Sequence, residues 1–94
     1  MDIDIGCEKV KSIVSCYKHF LCNDAYEEVI NYLENREPEM AYEGFLIEII
    51  NSDKNPEEID KEQVLYVAKY LSLDYESVFD KNIWNKLLDY LKIS

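Results

Sequence analysis

The spacing of apolar residues along the chain predicts helices rather than strands. The most apolar run, PEMAYEGFLIEII at residues 38–50, lies near the middle of the sequence. On a helical wheel its apolar side chains fall on two opposite faces, which is typical of a helix buried between neighbours. A buried strand is the alternative, because FLIEII alone is a short apolar run. The length of the whole run and its helix-favouring residues indicate a helix, with Pro38 in the first turn.

The segments before this run predict two more helices. Residues 7–21 have an apolar stripe opposite a face that carries lysines, and residues 2–6 before them are expected to fray. Residues 25–35 follow an Asn–Asp pair, and both of these residue types make good N-caps. Only a short turn separates this second helix from residues 38–50, so the sequence predicts an antiparallel αα-hairpin.

The remainder of the chain predicts a polar loop and two further helices. The loop is NSDKNPEE at residues 51–58. Asp60 then caps a helix that runs to about residue 71, with Gln63 as its partner in a capping box. Residues 73–79 are predicted to form a short helical turn. Asp80 is predicted to cap a last helix that runs to about residue 92.

The composition supports an all-α fold. The chain has only two glycines and two prolines among 94 residues, so turn-forming residues are few. We predict a small bundle of four to five helices around a central helix near residues 38–51, in a single domain of residues 1–94. No apolar run is long enough for a transmembrane helix and no signal peptide is recognisable, so we expect a cytoplasmic protein.

The sequence contains no motif that indicates catalysis or cofactor binding. Cys16, His19 and Cys22 are spaced three residues apart on the first predicted helix. Zinc needs four ligands, and the single histidine leaves no second cluster to complete the set, so we expect no metal site. Three cysteines are an odd number, which indicates reduced thiols. Without a glycine-rich phosphate loop or a nucleophile signature, we expect no cofactor and no enzyme activity.

The distribution of charge is more informative than the motifs. The formal net charge is −10, from twenty acidic and ten basic residues. Between Asn23 and Asp53 there are nine acidic residues, and the only basic residue is Arg36. A solvated helix face is the simpler interpretation of a charge run. Such a concentrated surface also repels nucleic acid and anionic membranes, and it attracts basic proteins.

The predicted partner-binding surface combines the acidic hairpin with tyrosines. The chain has eight tyrosines, and this residue type is enriched at protein interfaces, although it is equally common at core margins. The residues expected to contact a partner are Glu27, Glu34, Glu37, Glu39, Tyr42, Glu43, Tyr66 and Tyr70.

Three segments of the chain resemble a known family. They are EMAYEGFLIEII at residues 39–50, LSLD at residues 71–74 and ESVFDKNIWNKL at residues 76–87. Through them, over most of the chain after the first predicted helix, the sequence resembles small bacterial immunity proteins of the MafI and contact-dependent growth inhibition (CdiI) type. Ser72 stands where such proteins carry glycine in the turn.

The resemblance implies an antidote that binds and neutralises a cognate secreted toxin of a polymorphic toxin system. In several such systems the toxin is a nuclease, and some of these nucleases belong to the EndoU-like RNase group. Nuclease domains are basic because they bind phosphate. The expected partner is therefore a basic toxin domain, with no nucleic acid and no membrane, and the protein is expected to be a monomer or weak homodimer. The alternatives are an acidic nucleic-acid mimic and a non-catalytic regulatory or structural bundle.

Overall fold

The predicted helices are present, although several of their ends differ. The computed structural model describes residues 2–52 and 54–93, so Asp53 of the acidic stretch lies outside the described residues. These residues form five α-helices and two 3₁₀ turns and contain no strand, which confirms the all-α prediction. The α-helices are α1 (Ile3–Cys16), α2 (Asn23–Glu34), α3 (Pro38–Asn51), α4 (Lys61–Tyr70) and α5 (Ile83–Tyr90), and the 3₁₀ turns are Lys18–Phe20 and Pro56–Glu58. None of the described helices is long and apolar enough to cross a membrane.

The predicted central helix, α3, is the centre of the bundle. It packs most extensively against α2 and also contacts α1 and α5. Phe45, Leu46 and Ile49 have at most 1% of their surface exposed, and they form the core together with apolar side chains from the other helices. Pro38 lies in the first turn of α3, where its missing N–H is not needed. The short connection at residues 35–37 makes α2 and α3 the predicted αα-hairpin.

The first helix begins and ends earlier than the sequence predicts. Residues 2–6, which were expected to fray, form its start. The side chain of Asp2 caps the helix by accepting a hydrogen bond from the N–H of Ile5 (3.2 Å). This cap offsets the low helix propensity of Gly6. After Cys16 the chain tightens into a 3₁₀ turn and does not continue as an α-helix.

Helices α2, α4 and α5 end with the same hydrogen-bond pattern. In α2, the N–H of Arg36 donates to the carbonyl of Leu33 (3.0 Å), and the next N–H donates to the carbonyl of Tyr32 (2.9 Å). These paired bonds define a Schellman motif, and equivalent pairs occur around Ser72 and Lys92. The three central residues have φ angles of 59°, 64° and 59°, a left-handed conformation that favours glycine.

Several predicted caps and turns differ in detail. The Asp60 side chain accepts a hydrogen bond from the N–H of Gln63 (3.2 Å), as predicted. The other half of the capping box does not form, because the N–H of Asp60 donates to the hydroxyl of Tyr17 (2.8 Å). The predicted helical turn at residues 73–79 is wrong for its second half, since residues 76–80 are irregular.

The starts of α2 and α5 are also displaced from their predicted caps. The N-cap of α2 is Cys22, which makes no side-chain cap bond, and the Asn–Asp pair lies inside the helix. Asp80 accepts a hydrogen bond from the N–H of Asn82 (2.9 Å), and it is Asn82 that precedes the first residue of α5. Asp80 therefore closes the turn before α5 and does not cap the helix itself.

Candidate functional site

The outer face of α2 carries two of the predicted contact carboxylates. Glu27 and Glu34 are seven residues apart, which is two helical turns, and they line one shallow depression together with Tyr26, Ile30 and Asn31. Both glutamates are exposed. We call the exposed row formed by Glu27, Asn31 and Glu34 the α2 acidic face. The structure thus places these two carboxylates where a partner can reach them.

The single basic residue of the acidic stretch is already paired. The guanidinium of Arg36 lies 3.0 Å from the carboxylate of Asp4 in α1, and both side chains are exposed. The other ion pairs among residues 2–52 and 54–93 also lie outside α2 and α3. Within this part of the chain, no carboxylate of the α2–α3 hairpin has an ion-pair partner. The carboxylates of the α2 acidic face are therefore unpaired at ion-pair distance among those residues. Two lysines lie nearby: Lys11 lines a neighbouring depression with Glu34, and the Nζ of Lys18 lies 4.5 Å from the ring centroid of Tyr26.

Glu37 and Glu39 lie at the turn into α3, apart from the α2 acidic face. Both are half-buried, and Glu39 lines a depression together with residues 71–73 and 76–78. One carboxylate oxygen of Glu39 is buried and has no hydrogen-bond partner among the described residues. The predicted acidic contacts are therefore divided between two parts of the surface.

Tyr42, which we expected at the interface, is inside the protein. It has no exposed surface, its hydroxyl donates to the carbonyl of Val64 (2.8 Å), and its ring stacks on Phe45 with centroids 5.7 Å apart. Burial, with a smaller contribution from Tyr17, raises the pKa of the Tyr42 phenol well above its ordinary value of 10.0. The prediction was wrong because the ring packs in the core, where the carbonyl of Val64 supplies the acceptor that a buried hydroxyl needs.

Glu43 is the second predicted contact that lies inside. Its carboxylate has no exposed surface and accepts three backbone hydrogen bonds, from Val78 (2.7 Å), Phe79 (2.8 Å) and Asp80 (2.7 Å). Short charge-assisted bonds of this kind satisfy a carboxylate that has been removed from water. The donors lie 35 to 37 residues further along the chain, so no local pattern could reveal them. Glu43 therefore holds residues 78–80 in place and is not accessible on the surface of this structure.

The segment held by Glu43 presents apolar side chains to solvent. Val78 and Phe79 are 47% and 48% exposed, and Tyr75 is 75% exposed. The ring of Phe79 lies 6.1 Å from the ring of Tyr32 on α2, measured between centroids. Phe79 is not among the residues that the sequence predicts as contacts, since the short segment 73–79 has no clear periodicity to separate buried from exposed positions. Its closeness to the acidic hairpin makes it a candidate contact residue.

Beside Phe79, a groove lies on the surface between the packed helices α2 and α3. Its volume is about 180 Å³, below the roughly 300–1,000 Å³ that is typical of small-molecule sites. Two exposed carboxylates, those of Glu28 and Glu48, belong to its lining. We call it the α2–α3 groove, and it is lined by Ala25, Glu28, Val29, Tyr32, Gly44, Ile47, Glu48 and Phe79.

Gly44 lines the α2–α3 groove without contributing a side chain to it. A Cβ atom at this position would meet nothing within 4 Å, so packing among the described residues does not require glycine here. Glycine inside a helix costs about 0.5–1 kcal/mol relative to alanine. The central helix therefore carries a destabilising residue, and the space that this residue leaves belongs to the groove.

Tyr66 and Tyr70 belong to a different surface. Their rings lie 6.4 Å apart, and the ammonium of Lys9 in α1 lies 4.8 and 5.2 Å from the two ring centroids. Tyr66 is 55% exposed and Tyr70 is half-buried. Both α2 and α4 border α1, and Tyr66 and Glu34 line separate depressions against it. The two tyrosines are therefore not part of the α2 acidic face.

The cysteines and the histidine form no metal-binding cluster within the described residues. No group of three or more His, Cys, Asp or Glu side chains is placed there to hold a metal ion. Cys16 and Cys22 are exposed free thiols. Cys7 is partly buried, and this burial raises the pKa of its thiol. The α2 acidic face and the α2–α3 groove both lie on the acidic hairpin that the sequence predicts as the partner-binding surface.

Comparison with known proteins found no match to the chain among family models, curated proteins or solved structures.

Proposed function

We propose that this protein is an immunity protein that binds and neutralises a cognate secreted toxin, whose basic nuclease domain is the partner. The observation that carries the proposal is the α2 acidic face, whose exposed carboxylates have no ion-pair partner among the described residues. A nuclease binds phosphate through basic side chains, and carboxylates on a rigid helix compete for the same groups. The sequence resemblance to immunity proteins agrees with this chemistry.

The proposed protein is a cytoplasmic, non-catalytic binder that acts as a monomer or weak homodimer. It binds neither nucleic acid nor membrane, since its net charge of −10 repels both. Long-range attraction between the α2 acidic face and a basic toxin accelerates association. Exposed ion pairs contribute only about 0–1 kcal/mol each, so the affinity also needs apolar contacts such as those that Phe79 offers.

The proposal is tested first by identifying the partner. The protein is immobilised, exposed to lysate from its native organism and eluted with a salt gradient, and the eluted proteins are identified by mass spectrometry. One basic toxin domain that elutes at high salt and loses its toxicity in the complex is the expected result. Elution of several unrelated nucleic-acid-binding proteins at moderate salt would favour the nucleic-acid mimic, because a mimic does not discriminate between them.

The second step locates the interface with matched charge reversals. In the double variant Glu27→Lys and Glu34→Lys, we expect the affinity for the purified toxin to fall roughly tenfold to a hundredfold, with a weaker dependence on salt. The control double variant is Glu57→Lys and Asp89→Lys, two exposed acids outside the α2–α3 hairpin. Both double variants change the net charge equally. Equal losses of affinity in the two would show that only net charge matters and that the α2 acidic face is not the interface.

A further inference from the structure

We propose that the α2–α3 groove is a docking site for one long cationic side chain, arginine or lysine, of a partner protein. The identity of that partner rests on the proposed function, whereas the chemistry of the groove does not. The groove has about the volume that a single extended side chain needs and is too small for most cofactors.

The walls of the groove suit the apolar stem of such a side chain. Val29 of α2 and Ile47 of α3 line it with aliphatic groups. The rings of Tyr32 and Phe79, 6.1 Å apart and tilted by 45°, provide aromatic surface beside them. Arginine and lysine bury their methylene stems along apolar surface while the charged head stays near water, and aromatic faces attract the cation itself.

The charges that line the groove suit the head of the side chain. Glu28 from α2 and Glu48 from α3 both line it and are both exposed. No basic side chain is among the described residues that line the groove, and neither glutamate forms an ion pair within the described part of the chain. Both carboxylates are therefore available to pair with a guanidinium or ammonium group that enters the groove.

Gly44 adds no side chain to the lining of the groove. An alanine at this position would be better for the helix and would clash with nothing among the described residues. The absence of a Cβ leaves room for an incoming group to approach the backbone of α3 closely. Glu43 fixes one lining residue of the groove, because its buried carboxylate accepts a hydrogen bond from the N–H of Phe79 (2.8 Å).

The inference is tested on the isolated protein with small probes and NMR. Protein labelled with ¹⁵N is titrated with N-acetyl-arginine methylamide, and then with its neutral analogue N-acetyl-citrulline methylamide. We expect the arginine probe, at millimolar concentration, to shift the amide signals of Tyr32, Gly44 and Ile47, and the citrulline probe to shift them far less. Equal shifts with both probes, no shifts with either, or shifts confined to other surfaces would overturn the inference.

Variants then test whether the groove itself binds the probe. Gly44→Leu fills the groove without removing a charge, and we expect it to raise the dissociation constant of the arginine probe at least about tenfold. Asn85→Leu places the same side chain at an exposed position of α5 and should leave the constant within about twofold. Gly44→Ala, which strengthens the helix, should weaken binding less than Gly44→Leu. Undiminished binding by Gly44→Leu would place the probe elsewhere.

The same variants separate this inference from the proposed function. If a basic toxin binds tightly to the protein and Gly44→Leu binds it equally well, the toxin interaction stands and the groove is not its docking site. If the arginine probe binds the groove but no basic toxin is found, the groove is confirmed as a site for a cationic side chain and the proposed function fails.

Discussion

The hydrogen bonds of Glu43 allow a quantitative prediction for the variant Glu43→Gln. Oε1 of Glu43 accepts from the N–H of Val78, and Oε2 accepts from those of Phe79 and Asp80. Glutamine keeps the shape of the side chain, but one of its ends becomes an NH₂ group that faces a backbone donor. At least one of the three bonds is then lost, and the remaining ones change from charged to neutral acceptors.

The size of the effect follows from these three bonds. A hydrogen bond to a charged group contributes about 1.5–3 kcal/mol and a neutral one about 0.5–1.5 kcal/mol. One lost bond (about 1.5–3 kcal/mol) and two bonds weakened by about 1–1.5 kcal/mol each give a total of about 3.5–6 kcal/mol. Residues 78–80 lie near the surface, so water can reach the released N–H groups and the lower half of this range applies. We therefore expect the free energy of unfolding to fall by about 3.5–4.5 kcal/mol.

Chemical and thermal unfolding followed by circular dichroism measure this loss. For a domain of this size, about 3.5–4.5 kcal/mol corresponds to a fall in Tm of roughly 15–35 °C. Amide hydrogen exchange provides a local readout, because the N–H groups of residues 78–80 should lose protection in the variant more than those of α1. The control is Glu48→Gln, which removes the same charge from an exposed position of the same helix. If Glu43→Gln and Glu48→Gln destabilise equally, or if exchange at residues 78–80 is unchanged, then the three bonds do not stabilise the fold.

Two further predictions concern the buried tyrosine and the left-handed helix end. In Tyr42→Phe, loss of the bond to the Val64 carbonyl should lower the free energy of unfolding by about 1 kcal/mol at neutral pH. Burial raises the folded-state pKa of Tyr42 above 10.0, so ionisation of this phenol favours the unfolded chain. In urea titrations the wild-type protein should therefore lose stability above pH 10.0 more steeply than Tyr42→Phe. Parallel pH profiles of the two proteins would contradict this. Lys92 has a φ of 59°, a conformation that glycine adopts without strain. In thermal unfolding, the variant Lys92→Gly should therefore be more stable than the variant Lys92→Ala by about 1 kcal/mol. Equal Tm values for the two variants would show that no backbone strain is present.

The candidate site could be predicted from the sequence only in part. The acidic stretch is a property of composition along the chain, and the helical period placed Glu27 and Glu34 on an outer face, where the structure has them. The same period could not show that Tyr66 and Tyr70 lie beside α1 and not beside α2. That separation depends on how the helices are arranged in space, which the period of a single helix does not encode.

The sequence by itself determined the helices, because the interactions that form a helix join residues three or four positions apart. Pro38 at the start of α3 and Asp60 at the cap of α4 are examples, since each acts on the turn that follows it. The apolar faces followed from the same period, and with them the central position of α3.

Only the tertiary structure decided which polar residues lie inside. Glu43 and Glu48 stand on the same helix and share the same chemistry, yet one is buried and the other is exposed. The difference is the set of backbone donors at residues 78–80, which the fold brings to Glu43 from a distant part of the chain. A charge leaves water only where such donors replace the lost hydration, and their position is a property of the packed molecule.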